Sequence, residues 1–433
     1  MRAQDLCVNA SRLEGGAEAW RGTAPLMLIP LVLLAYSGYF KGMPGLRTLP
    51  IDVTLLLAAV CAGLIVLVGS RARWAAPTVL PLVVGLWLAF AAGVAVTFGS
   101  GIPLEKAFNL GTVTLLCAVM PCLVYGGLQA QRWLLGISLA LAFVMAVATT
   151  LFPDRMAQEI FGRLNLDGQT AIGTARVLGA SVVIAALIAL GGGKYRWIWW
   201  AAAAVGTAFT LAVGSRGPMI SVLFSVAFAV VLARRFKGRR VSASAQLIGG
   251  FLALGAFVTV SPTAASDRIR LFLLGDQEDV AREYLFDVAL REIPKSPFGV
   301  GWGGFQVPRS FWGVDGGTSV YPHNIFLEIA VEGGWLAAIA FVVFAFYALV
   351  GFIRNSVSLE SAALLGLGIY WFSVAQTSSD VNGNRMTWVM LVVGLISWKS
   401  SDRISGFPIE SSGSKKQASW GRVERSQVEP RNR

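Results

Sequence analysis

Residues 325–351 read IFLEIAVEGGWLAAIAFVVFAFYALVG, and Glu328 and Glu332 are the only charged side chains in the run. A helix crossing a bilayer needs about 20 mostly apolar residues, and this stretch exceeds that. A buried core helix would also be apolar, so the decision rests on recurrence. Similar runs lie near 24–40, 51–69, 75–98, 107–127, 132–152, 170–191, 195–213, 217–233, 245–261, 361–378 and 386–398. A soluble protein could not cover so many. The 433 residues are 55% hydrophobic and only 14% charged, against roughly 25% charged in ordinary soluble domains. These observations predict an all-α, polytopic integral membrane protein with about 12 transmembrane helices.

The net charge of +12 is unevenly placed: five cations crowd into Arg234 to Arg240 and eight lie between Lys399 and Arg433. Basic clusters beside apolar spans hold loops on the cytoplasmic side near anionic lipid. This accounts for the clusters with a lipid bilayer as partner and no nucleic acid. With the N-terminus inside, inner segments carry 22 of the 36 Lys and Arg and short outer loops carry 7. The long segment 262–324 is then an extracytoplasmic loop. Within it an amphipathic helix is expected around Val280 to Ile293, where Glu283, Asp287 and Arg291 recur at i,i+4 spacing. Pro294 and Pro297 should end it. Residues 1–23 read as a cytoplasmic segment before a retained first span, 24–398 as the transmembrane domain, and 399–433 as a disordered basic cytoplasmic tail. Cys7, Cys61, Cys117 and Cys122 are scattered, with none in the long loop. They form no disulfide framework and no metal-ligand spacing, so neither metal nor cofactor is expected.

His323 is the sole histidine, in Tyr321-Pro322-His323-Asn324 where the long loop re-enters the apolar run. Pro322 suits a first helical turn, and a nearby helix N-terminus disfavours imidazolium. A neutral ring can accept a proton, as a general base must; an interfacial capping residue is the plainer reading. Arg216 lies in Gly214-Ser215-Arg216-Gly217-Pro218, an outer turn in which Ser215 can cap and Pro218 can open the next helix. Its guanidinium suits bidentate phosphate recognition or a lipid headgroup. Arg176, inside a span, is expected to snorkel to headgroups unless it serves function. Arg282 opens the loop helix as a functional or a solvated charge, and Arg268 and Arg270 could assist. Asn324, Glu328 and Glu332 share one helical face. Either that stripe faces protein or a wet cavity, or Gly333-Gly334 turns an interfacial helix into the span and leaves the carboxylates solvated. Gly299-Val300-Gly301-Trp302-Gly303-Gly304 spells a dinucleotide fingerprint but lacks the strand and βαβ unit that would give it meaning, so it reads as a turn needing glycine torsions.

Three segments in order carry a resemblance: Ser215-Arg216-Gly217; Arg282 through Phe305 (REYLFDVALREIPKSPFGVGWGGF); and His323-Asn324 through Trp335 (HNIFLEIAVEGGW). Together they resemble the O-antigen ligase and polymerase superfamily over roughly 214–337. Phe286 stands where that family usually has tryptophan, and Ala337 replaces its second glycine after Gly334. The resemblance implies a GT-C-like bacterial enzyme of the inner or plasma membrane with its site facing the periplasm or cell exterior. It further implies metal-independent, inverting transfer of a polyprenyl-pyrophosphate-linked oligosaccharide to an acceptor hydroxyl. His323 would be the base; Arg216, Arg282 and Arg176 would hold the pyrophosphate; Asn324, Glu328 and Glu332 would support them. A lipid-A-core ligase is favoured by motif spacing. A repeat-unit polymerase or a protein O-oligosaccharyltransferase shares the chemistry, while a lipid-linked-sugar flippase or a non-catalytic membrane scaffold would not.

Overall fold

A computed structural model describes residues 24–43, 45–69, 74–161, 163–238, 242, 244–246, 248–250, 277–307, 321–378 and 380–405. Residues 1–23, most of the expected span at 245–261, Arg268, Arg270 and the tail from 406 lie outside that set. Among the described residues the secondary structure is helical, apart from an isolated bridge between Pro153 and Leu166. In chain order the helices are α1 (Leu28–Tyr36), α2 (Val53–Gly69), α3 (Leu80–Gly99), α4 (Glu105–Val124), α5 (Gly127–Leu151), α6 (Arg155–Phe161) and α7 (Ala171–Leu190). They continue with α8 (Arg196–Val213), α9 (Arg216–Leu232), α10 (Gln277–Glu292), α11 (Ile325–Asn355), α12 (Leu359–Val374) and α13 (Arg385–Ser405).

The apolar runs of the sequence fall on these helices, but length separates them. Among the described residues five are long and apolar enough to cross a membrane: α3, α4, α5, α7 and α11. Helices α2, α9 and α12 are apolar but shorter. Helix α13 runs on to Ser405, past the expected span end at 398.

Helix α7 is apolar all round and buried along most of its length, as expected of a helix enclosed by others. It packs against α5, α8, α9 and α12. Helix α11 lies between α3 and α13, and Gly351 meets the Gly394 carbonyl of α13 at backbone contact distance, the close approach small residues permit between membrane helices. Caps fix the entry of several helices. Thr170 accepts from the Gly173 N–H at the start of α7, and Ser358 and Ser361 form a capping box at the start of α12.

Helix α11 is broken at Gly334, whose φ of 85° and ψ of 179° are not helical. The portion beyond the break is by itself about the 20 residues a span requires. The segment before it is therefore a separate short helix that carries Glu328 and Glu332. The break frees carbonyl groups, and the glycine turn of the long loop supplies their donors. Val300 N–H donates to Val331 O at 2.8 Å and Gly301 N–H to Glu332 O at 3.1 Å; in return Trp335 N–H donates to Pro297 O at 2.9 Å. Gly299, Gly301 and Gly303 all have positive φ, so the turn does need glycine torsions. A Cβ on Gly299 would strike the Glu332 carbonyl. Trp302 then locks the turn to α3, its backbone N–H on Thr97 Oγ1 at 2.7 Å and its indole N–H on Phe90 O at 3.1 Å.

Candidate functional site

The loop helix forms close to where its pattern placed it and ends before Pro294, but it starts earlier, at Gln277, so Arg282 lies within it and does not open it. Leu285 and Ala289 of α10 are buried in a cluster with Phe305 and Val331, which docks α10 on the short first segment of α11, before Gly334. Asp287 and Arg291 pair at 2.6 Å on the exposed side. Arg282, less than one turn before Leu285, reaches a cavity of ≈ 100 Å³. The same cavity is lined by Arg216, Gly214, Gly217, Thr377, Ser378 and Arg163. Among the described residues its lining includes three arginines and no acidic residue.

Gly214, with φ 73°, ends α8 in the left-handed cap expected of glycine. Arg216 is the first residue of α9. Ser215 occupies the N-cap position but its side chain makes no capping bond, contrary to the expectation. The first N–H groups of α9 are left to other acceptors.

Arg176 does not snorkel. Its side chain is 1% exposed and donates to Tyr39 Oη at 3.2 Å, to Ser378 Oγ at 2.6 Å and to the Ser378 carbonyl. Ser378 lines the cavity, so Arg176 stands behind the wall and braces it. Burial prevails here because Ser378 and Tyr39 give the guanidinium polar partners inside the helix bundle.

Asn324 is the N-cap of α11, its Oδ1 accepting from Phe326 N–H at 3.0 Å and Leu327 N–H at 3.1 Å. The helix begins after Asn324, so Pro322 precedes the cap instead of occupying a first turn. His323 falls in the linking position with φ 56°, the one non-glycine residue with positive φ among those described. That conformation costs an L-residue roughly 1–2 kcal/mol, a strain of the sort found where geometry serves function. The imidazole lies against Tyr321, ring centroids 4.4 Å apart, and its Nδ1 is buried without a hydrogen-bond partner among the described residues. Burial, then Arg282, then Arg176 pull its ionisation down to about 4. The ring is thus neutral at pH 7 for a stronger reason than the helix end alone. Arg282 and Arg176 are thus each within electrostatic reach of His323.

Glu328 and Glu332 are not solvated. Both are fully buried and both meet Lys106 Nζ at 2.6 Å. Glu328 also accepts from Val381 N–H at 3.1 Å. The polar stripe faces protein.

Sequence patterns do not single out Arg163, Lys106 or the 375–384 turn. The turn joins α12 to α13 and ties the site together: Ala375 O accepts from Ile325 N–H at 3.1 Å, and Asn382 Nδ2 donates to the Lys106 carbonyl at 2.9 Å. A Cβ on Gly217 would meet Thr377, so the start of α9 rests on this turn as well. The one signal for it is the polar run Gln376-Thr377-Ser378-Ser379-Asp380-Val381-Asn382-Gly383-Asn384 between two apolar helices. Nothing local marks Arg163 or Lys106.

No curated protein matches the chain. The family model described as O-antigen ligase matches residues 203–342, a range that holds Arg216, Arg282 and His323 but neither Lys106 nor Arg163. Together with the apolar helices, the match supports a multi-pass membrane protein of the ligase or polymerase type, a glycosyltransferase-like enzyme of surface-polysaccharide assembly. Through these residues that part of the chain is similar to the O-antigen ligase family, in support of the O-antigen ligase and polymerase superfamily.

Proposed function

We propose that the protein is a metal-independent, inverting glycosyltransferase. It moves a polyprenyl-pyrophosphate-linked oligosaccharide onto an acceptor hydroxyl at the outer surface of the bacterial inner or plasma membrane. The observation that carries this reading is the cavity that brings Arg216 and Arg282 together, with His323 inside the electrostatic reach of Arg282. Residues far apart in sequence converge there, and an anion is what they would bind. His323, neutral and short of a partner at Nδ1, takes the proton as the acceptor oxygen attacks the anomeric carbon. The bond from that carbon to the phosphate oxygen breaks, and the electron pair leaves with the diphosphate. Arg216 and Arg282 stabilise the charge as it grows, with Arg176 adding its field from behind Ser378. Asn324 fixes the cap next to His323, while Glu328 and Glu332 hold the first segment of α11 through Lys106.

The placement of lysine and arginine along the sequence supports a site outside the cytoplasm. Transfer to lipid A-core is the favoured outcome; polymerisation of repeat units uses the same site with another acceptor. A reconstituted assay offering lipid-linked glycan with alternative acceptors tests the proposal. Glycan transfer that survives EDTA is expected. Movement of donor lipid across vesicles with no glycan transfer would overturn it.

A further inference from the structure

The cavity has a third guanidinium, which has no part in the transfer proposed for Arg216, Arg282 and His323 and lies outside the range matched by the family. We infer that Arg163 is a further anion-binding residue of this site, completing a three-arginine seat that selects a diphosphate over a monophosphate. The inference rests on the proposed donor site and deepens it.

Placement is the first argument. Arg163 lines the same cavity as Arg216 and Arg282, and its segment is firmly held. Asp154 N–H donates to Asn165 O at 2.8 Å and Asp167 N–H to Phe152 O at 3.1 Å, closing a small hairpin. Asn165 is 5% exposed and accepts from Thr174 Oγ1 of α7 at 3.2 Å. Leu164 N–H donates to Ala212 O at 3.0 Å, which stitches the residue after Arg163 to the helix end just before Gly214 and Arg216. A backbone so fixed adds little ordering cost when the side chain engages a ligand.

Charge is the second argument. A diphosphate esterified at both ends carries two negative charges; when the sugar leaves, the remaining polyprenyl diphosphate carries a third. A third guanidinium matches the charge that appears. The cavity volume of ≈ 100 Å³ is about three times the share of one water in the liquid, the scale of a small anion and not of a sugar chain. A phospholipid headgroup offers the same phosphate chemistry, so the test separates the two.

Purified protein in detergent is titrated with farnesyl diphosphate, farnesyl monophosphate and phosphatidylglycerol. Wild type is compared with Arg163→Gln, Arg163→Lys and Arg216→Gln. The expected result is that Arg163→Gln weakens diphosphate binding about tenfold or more, the loss of a charge-assisted contact, and changes the other two probes less than about threefold. Arg163→Lys, which keeps charge but loses the planar fork, should weaken the diphosphate alone by a smaller factor. It carries the test if the glutamine variant does not fold. Equal weakening of the monophosphate or of phosphatidylglycerol would overturn the inference. So would unchanged diphosphate affinity in both Arg163 variants while Arg216→Gln binds it poorly, and that result would leave the proposed function standing. Failure of wild type to bind the diphosphate would overturn both.

Discussion

Two groups of charge flank the first segment of α11, before Gly334, and they are built on opposite plans. On one side Lys106 lies between Glu328 and Glu332, with both carboxylates fully buried and each 2.6 Å from its ammonium. On the other, Arg163, Arg216 and Arg282 face a cavity, and His323 sits in the field of Arg282. The first group is closed: one ammonium lies between two buried carboxylates, and what it provides is a fixed distance between α4 and α11. The second gathers guanidinium groups around a space lined, among the described residues, by no acidic side chain. One plan joins two helices; the other borders a cavity.

The comparison can be broken most severely at His323. His323→Ala should insert normally and lose transfer by about 10²–10⁴-fold, the usual worth of a general base; full transfer by the variant would remove the base and favour a scaffold. Next comes the closed group. Lys106→Met leaves two buried carboxylates without their cation and should cost about 3–5 kcal/mol of stability, read as earlier thermal unfolding in detergent. Adding Glu328→Gln and Glu332→Gln should recover most of that loss. If Lys106→Met unfolds no earlier than wild type, the ion cluster is not structural.

For the open group the pattern should reverse. Arg216→Ala and Arg282→Ala should each lower transfer by about 10²–10³-fold, as loss of a charge-stabilising donor does, with thermal unfolding close to wild type. Unchanged turnover in both would sink the pyrophosphate seat. The smallest effect is in pH dependence. A base must be neutral to accept its proton, and free His323 ionises at about 4, so kcat/KM should fall as pH drops through about 4. Bound diphosphate screens the arginines and favours imidazolium, which should move the acid limb of kcat to higher pH. Arg282→Gln removes a cation and should shift the kcat/KM limb upward too. Coincident limbs in all three profiles would separate His323 from the arginine field.

The legible parts of this molecule are those whose signal is local. Apolar length marks the helices, the i,i+4 acids and Pro294 mark α10, and three ordered motifs mark Arg216, Arg282 and His323. Glu328 and Glu332 can be put on one face, yet Lys106 is invisible because it lies far upstream on another helix. Arg163 is hidden for the same reason: the bond from Leu164 to Ala212 ties its segment to the end of α8, just before Arg216. Arg176 reads as a headgroup residue because Ser378 and Tyr39, which make burial tolerable, come from distant segments. Hydropathy reports what a helix avoids and not how far it extends, so among the described residues five of the apolar runs fall on helices long enough to cross a membrane and others on shorter ones.

The break at Gly334 has a consequence for assembly. A helix that interrupts its own ladder must borrow donors, and here the lender is the Val300-Gly301 turn. The first segment of α11 is therefore finished only when that turn has docked against it. A chain whose turn failed to dock would keep its long apolar helices and lose the platform on which His323 is proposed to act.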